Sequence, residues 1–285
     1  MIKISAVILT YNSASCIKPC LDSVYVQGYQ DLELIVVDNG SKDETVSLVK
    51  ENYPQVILIE NKDNLGACKG RNQGIEAAHG EWIVTLDCDI ILEHNFFCEI
   101  IKIIERAPKA VGMIQPKILN AHKNTIFSAG IYVSFLRRFH DIGKNEIDSA
   151  KFSKEKDIFG ACSAAAVYKR DMLEAVREVN GYFDERLFFL FEDVDLSWRA
   201  QKKGIKVLFC PNAVCYHRGD SSHTPGKIRQ YLSLRNRYFT LLKNDFSCRI
   251  ILFFIFYDLP RFLYILITNP YALRVVNDVL YFKRS

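Results

Sequence analysis

Two aspartates stand inside an apolar run. The stretch WIVTLDCDIIL covers residues 82–92, and Asp87 and Asp89 flank a single cysteine within it. An unpaired carboxylate in apolar surroundings is costly, so the pair needs a partner. Two carboxylates one residue apart can hold a divalent cation; Mg2+ and Mn2+ take oxygen ligands and link protein carboxylates to substrate phosphates. That use requires a chain turn at Cys88, with one carboxylate on the metal and the other reaching it through water or meeting a ribose hydroxyl. The competing use is a solvated loop whose acids cap a helix over 93–105. Glu192, Asp193 and Asp195 form a second acidic cluster at the start of a helical stretch. Helix capping accounts for acids in such a place. The alternative is a general base, partly buried by the preceding RLFFLF, which would raise its pKa while the helix end lowers it. His217 follows a strand and a tyrosine and is the candidate third metal ligand. His79, His94, His122 and His140 read as surface residues, and His223 stays open.

The surrounding elements must bring these groups together. Strand patterns over 3–9, 32–38, 55–60 and 81–87 alternate with helical spacing over 14–27, 41–53 and 66–80. Ser41 followed by Glu44 has the form of a capping box. This alternation predicts an α/β fold: a mostly parallel sheet with helices on both faces. Open parallel sheets bind ligands at the carboxyl ends of their strands. Thr10-Tyr11-Asn12, Asp38-Asn39-Gly40-Ser41, Asn64-Leu65-Gly66 and Asp87-Cys88-Asp89 each follow one strand, so four polar clusters fall on one edge.

The second half is less regular. Strands are expected over 110–119, 125–135 and 205–211, a mobile loop over 140–157, and a small-residue segment running into a helix over 159–173. An aromatic run leads into a helix over 186–204.

The chain has 285 residues, 49% hydrophobic and 25% charged, an ordinary globular balance. Nine scattered cysteines without a C-x-x-C pair read as reduced core residues of a cytosolic protein. MIKISAVILTYN turns polar too soon for a signal peptide. Basic charge is confined to the tail, where residues 218–285 hold eleven Lys/Arg against four Asp. The protein as a whole therefore does not read as a nucleic-acid binder. Residues 250–268 are nearly long enough to cross a bilayer, but Asp258, Pro260 and Arg261 sit at their centre. An apolar helical pair lying at the membrane surface with basic flanks fits better; a helical cap on the catalytic domain or on a second subunit is the alternative.

VILTYNSASCIKPCLDSV, LIVVDNGSKDET, NLGACKGRNQGI, VTLDCDIIL, GYFDERLFFLFEDVDLSWRAQKKG and VCYHRG occur in this order. Over residues 3–220 the chain resembles the inverting glycosyltransferases of family two, in their rhamnosyltransferase-like branch. YLSLRNRYFTLLK (231–243) is similar to a stretch leading towards the membrane in that family. The resemblance implies a GT-A fold, a UDP-, dTDP- or GDP-linked sugar donor, and Mg2+ or Mn2+. It implies a catalytic domain over 1–225, with a nucleotide-sugar half to about 115 and an acceptor half beyond, then a helical, membrane-associated region over 226–285. It places Thr10, Tyr11 and Asn12 along the nucleotide, Asp38 at the base with Asn39 and Ser41 nearby, and Asn64, Gly66 and Arg71 on the base and ribose side. Asp87 would face ribose and metal, Asp89 would ligate the metal with His217, and Asp193 would be the catalytic base with Glu192 beside it. The implied acceptor is a glycan or polyprenyl-linked glycan hydroxyl in cell-surface polysaccharide synthesis, reached from the inner face of the cell membrane, with a homodimer as a possible assembly. Two rivals are a nucleotidyltransferase and a nucleotide-sugar-binding scaffold without catalysis. The first lacks an early glycine-rich basic phosphate loop, and the second has no need of both intact acidic pairs.

Overall fold

The computed structural model describes residues 2–219, 224–245 and 254–282. The first half runs β1 (Ile4–Thr10), α1 (Ile17–Tyr25), β2 (Leu32–Asp38), α2 (Thr45–Asn52), β3 (Ile57–Glu60), α3 (Ala67–Ala77) and β4 (Trp82–Asp87). β1 pairs in parallel with β2 and β4, and β2 with β3. Register aligns the strand ends: Thr10 lies opposite Asp38, Leu9 opposite Asp87, and Asp38 opposite Glu60. The expected polar edge is therefore real. Side-chain alternation gives the sheet two cores. Ile4, Ala6 and Ile8 face α1 and α4 (Phe96–Arg106), whereas Val7, Ile35 and Val37 face α3, α5 (Arg170–Val176) and α6 (Glu192–Lys202).

Several expectations need correction. Ser41 and Glu44 do not form a capping box. Ser41 Oγ donates to Asp38, and the first turn of α2 is capped by Asp43, which accepts from Thr45 N at 3.1 Å. The segment 159–173 does more than enter a helix: Ala165–Lys169 is β11, antiparallel and central, between β4 and β6 (Val111–Asn120). Its alanines favour helix locally, but ladder pairing with Trp82–Leu86 decides the outcome. The strand expected over 125–135 breaks at Gly130 (φ +107) into β7 (Ile126–Ser128) and β8 (Ile131–Val133). Residues 140–157 are not a featureless loop, since β9 (Phe139–Asp141) and β10 (Lys156–Ile158) bracket a 3-10 turn whose Phe152 is fully buried.

The last strand is longer than expected. β12 (Lys206–His217) is parallel to β6 and slips register between Cys210 and Val214. After that irregularity it pairs again with 117–120 and takes a short third partner, β5 (Ile90–Leu92). His217 thereby lies opposite Ile90, one residue beyond Asp89.

α7 (Gly226–Asn244) crosses the edge of this body, and α8 (Leu259–Thr268) and α9 (Arg274–Leu280) pack on α7. Asp258, the charge that argued against a spanning helix, is buried against Arg237, with Nη2 3.1 Å from Oδ2. Arg261 donates to Ser233 Oγ at 3.0 Å, and Asn269 donates to Lys227 O at 2.9 Å. Among the described residues no helix is long and apolar enough to cross a membrane; residues 246–253 of the tail lie outside them.

Removing one partner of a buried pair strands the other charge. Asp258→Ala should cost about 3–5 kcal/mol of stability, read by urea denaturation, whereas exposed Asp171→Ala should change it by less than about 0.5 kcal/mol.

Candidate active site

A cavity of about 850 Å3 opens over the carboxyl edge of the sheet. Thr10, Tyr11, Asn39, Asn64, Gly66, Arg71 and Asp87 line it from the first half, and Glu192, Asp193 and His217 from the second. Asp87, Glu192, Asp193 and His217 thus share one chamber.

The chain turns at Cys88 and Asp89, between β4 and β5. The Cys88 thiol turns away to Ser13 Oγ, 3.0 Å off, and to Cys16 Sγ. Asp89 is buried, and its Oδ2 accepts from Gly219 N at 3.1 Å, which fastens the end of β12 to the turn. His217 Nε2 stands 3.8 Å from Asp89 Oδ1. Ligand atoms of Asp87, Asp89 and His217 all lie within 4.8 Å of one another. Two carboxylates and an imidazole suit Mn2+ or Mg2+, so the residues present fit a divalent ion.

Arg71 lines the cavity from α3 and is committed to two acids. It is 3% exposed. One guanidinium nitrogen is 2.6 Å from Asp87 Oδ1 and the other 2.8 Å from Glu192 Oε1. Burial pushes the Asp87 carboxyl up, against the pull of Arg71. Glu192 also accepts from Ser163 Oγ at 3.1 Å. Asp193, half-buried and facing the cavity, has its pKa pushed up to about 8 by burial, then by Glu192 and Asp141. Asp195 does not belong with them: it is buried on the far side of α6 and bonds Arg199 (2.9 Å), Lys243 (3.0 Å) and Asn244 (2.7 Å). Glu178, Asp184 and Asp195 also converge, but Arg186, Arg199 and Lys243 pair with them, so this cluster is an ion-pair knot tying α6 to α7.

Four expected nucleotide or metal residues lie outside the cavity lining: Asn12, Asp38, Ser41 and Asp89. Asp38 Oδ2 accepts from Gly40 N (3.1 Å) and Ser41 N (2.9 Å), and Ser41 Oγ accepts from Asn12 N at 2.8 Å. Asp38, Ser41 and Asn12 build the turns under the first-half wall. Asn39 holds the next loop, donating to Asn64 Oδ1 at 3.0 Å and to Gly66 O at 3.1 Å. Thr10 Oγ1 and Glu192 Oε2 are buried without a hydrogen-bond partner in the protein, as expected of groups that await a polar ligand.

The aromatic run forms the opposite wall and is strained. Phe188, Leu190 and Phe191 have φ of 64°, 71° and 69°, a region that non-glycine residues avoid. Asn236 of α7 holds it, donating to the carbonyls of Leu187, Phe189 and Leu190 at 2.8 Å each. The sequence showed this run but gave no sign of its backbone. It also missed Phe127, on a strand that was expected, Asp141 and Lys144, from the aperiodic segment 140–157, and Arg229, from the tail, all of which line the cavity.

Comparison with known proteins bears on the fold and the family. The chain is 25% identical over 217 residues to the poly-beta-1,6-N-acetyl-D-glucosamine synthase of Staphylococcus aureus (strain COL), covering 75% of this chain and 49% of that protein. It spans about half the length of the curated relatives it matches there. Among solved structures, the mannosyltransferase PcManGT from Pyrobaculum calidifontis, in complex with GDP-Man and Mn2+, superposes with a TM-score of 0.59 at 21% identity, over 98% of this chain and 74% of that one. S. aureus TarS 1–349 in complex with UDP-GlcNAc gives 0.56 at 18%, over 89% and 73%. These likenesses establish the GT-A fold. The sequence model described as glycosyl transferase family 2 matches residues 5–177, more than half of the chain, and the chain belongs to that family.

Proposed function

We propose that the protein transfers a sugar, with inversion, from a nucleoside-diphospho-sugar to a hydroxyl of a glycan or lipid-linked glycan. The observation that carries this reading is that Asp87, His217 and Asp193 line one cavity, with buried Asp89 within ligand distance of Asp87 and His217 just behind its wall. A divalent ion held there would act as a Lewis acid on the departing diphosphate. The protein's own groups do the rest. Asp193 takes the proton of the acceptor hydroxyl, the hydroxyl oxygen bonds to the anomeric carbon, and the bond from that carbon to the diphosphate oxygen breaks. Arg71 bridges Asp87 and Glu192 and holds both carboxylates in place. With Asp193 as base and Asp87 and Glu192 both engaged by Arg71, the assignment of roles favours a single displacement.

The named relatives act on or bind N-acetylglucosaminyl and mannosyl donors. They favour a cell-surface polysaccharide product and leave the donor sugar open between these and the rhamnosyl group of the resembling branch. The tail adds a location. Phe256 (70% exposed), Tyr264 (69%), Ile267 (82%) and Leu280 (74%) are exposed on this helical unit, as is Arg274. Thr224, Pro225, Arg229 and Ser233, at the start of α7, line the catalytic cavity. An apolar-basic face on the same helical unit as the active site suits the inner surface of an anionic membrane carrying a polyprenyl-linked acceptor.

A base whose pKa is raised holds its proton at neutral pH, so activity must climb as pH rises. kcat/KM should increase through a limb near pH 8. Asp193→Asn should lower kcat by about 100-fold or more while nucleotide binding survives. Glu192→Gln, which removes the adjacent negative charge, should move the limb down by roughly one pH unit. In thermal melts with Mn2+, the fitting nucleoside diphosphate among UDP, dTDP and GDP should raise Tm by roughly 5–10 °C at a hundredfold excess over Kd. Asp89→Ala should abolish that rise. Co-sedimentation with phosphatidylglycerol vesicles should be strong at low salt and lost in Phe256→Asp/Ile267→Asp; wild-type protein that stays in the supernatant as a dimer would assign this face to a second copy instead.

A further inference from the structure

Two side chains that no motif reading singled out, Phe127 and Lys144, stack on His217 of the metal-ligand set. The Phe127 ring lies against the His217 imidazole, with centroids 4.0 Å apart and planes at 13°. The Lys144 ammonium sits 3.3 Å from the centroid of the Phe127 ring. All three line the catalytic cavity. The order is therefore Lys144, Phe127, His217, Asp89, running from the 142–146 turn to the base of the donor set.

The backbone is built to hold this arrangement. Phe127 lies on β7 and His217 ends β12, and both strands pair with β6. The turn carrying Lys144 is laced to β7: Ile126 N donates to Glu146 O at 2.8 Å, Asn145 N to Ile126 O at 2.8 Å, and Ala129 N to Ile142 O at 3.0 Å. Gly143, at φ +76, makes the turn possible, and a Cβ there would stand 2.6 Å from the buried Phe152 ring. Lys144 is thus fixed over the ring by its own turn, although its side chain remains 40% exposed. Its ion pair with Asp141 is long, at 3.6 Å. Cation–π contact occupies one side of an ammonium and leaves N–H donors for a second partner.

We propose that Lys144 binds the terminal phosphate of the donor's diphosphate, and that Phe127 is the positioning residue that aligns both Lys144 and His217 for it. The inference rests on the donor reading above and deepens it. The cavity is rich in carboxylates: Asp87, Asp141, Glu192 and Asp193 line it, and Arg71 is already engaged by two of them. Breaking the sugar–phosphate bond leaves the electron pair, and one more negative charge, on the terminal phosphate oxygen. A cation held at the cavity wall stabilises that charge as it forms. An ammonium serves as a point charge for phosphate.

The test is calorimetric titration of the full chain with Mn2+ and each of UDP, dTDP and GDP, alongside the matching monophosphates. Lys144→Met keeps the aliphatic stem and removes the charge. It should weaken diphosphate binding by about tenfold, the usual size of one charge-assisted contact, and change monophosphate binding by less than about twofold. Phe127→Leu should weaken diphosphate binding in the same direction, and Phe127→Tyr, which keeps the ring, should restore it. Equal losses for diphosphate and monophosphate, or no loss in Lys144→Met, would overturn the assignment. Wild-type protein that binds none of the three diphosphates would overturn the donor reading itself, and this inference with it.

Discussion

Arg71 is the constraint on which the site depends. A buried guanidinium is tolerable only where anions match it. Here Asp87, at the end of β4, and Glu192, at the start of α6, supply the match from elements about a hundred residues apart in sequence. The ring of Phe183 closes a third side, 5.9 Å away. One residue of α3 therefore locks the metal-side acid to the neighbour of the proposed base, so the two halves of the chemistry cannot move apart independently. The same contact explains why the two carboxylates next to one another on α6 behave differently. Glu192 is drawn into the ion pair, while Asp193 faces the cavity with burial and two negative neighbours working against its ionisation.

A second constraint comes from α7, outside the stretch the family model matches. Three consecutive-turn residues at positive φ cost of order 1–3 kcal/mol each. Asn236 offsets part of that with its two amide N–H donors, shared among three carbonyls and worth about 1 kcal/mol per donor. The ion-pair knot around Asp195 and Lys243 fixes the other end of the same interface. The tail is therefore more than an appendage: it holds the wall that faces the donor half.

Much of this was legible in the sequence, for physical reasons. The βαβ alternation and the polar residue after each strand report directly on burial and on the carboxyl edge, and four strands and three helices lie where periodicity put them. The turn at Cys88 followed from the cost of two carboxylates in an apolar run. What stayed hidden depends on partners distant in sequence. β11 has helix-favouring alanines and becomes a strand only because two strands flank it. Arg71 looked like a ligand residue because nothing near it in sequence shows that Glu192 will meet it. The register slip in β12 that delivers His217 is marked locally by Pro211-Asn212, which reads as a strand end at 211 and hides the strand's continuation to His217. In the tail, α8 and α9 bury one face on α7 and leave another exposed, an arrangement that depends on contacts between segments some thirty residues apart.

The central position of β11 also has a kinetic side. β4 is complete once residue 87 is made, yet the strand that covers its second edge is residues 165–169. At ribosomal rates of 5–20 residues per second, that edge waits roughly 4–16 s for its partner during synthesis. An apolar strand with an open edge is a template for pairing with other chains. The nascent protein thus passes through an interval in which its donor half is assembled but unsealed, and chaperone cover during that interval, rather than the stability of the finished fold, would set how much of it reaches the native state.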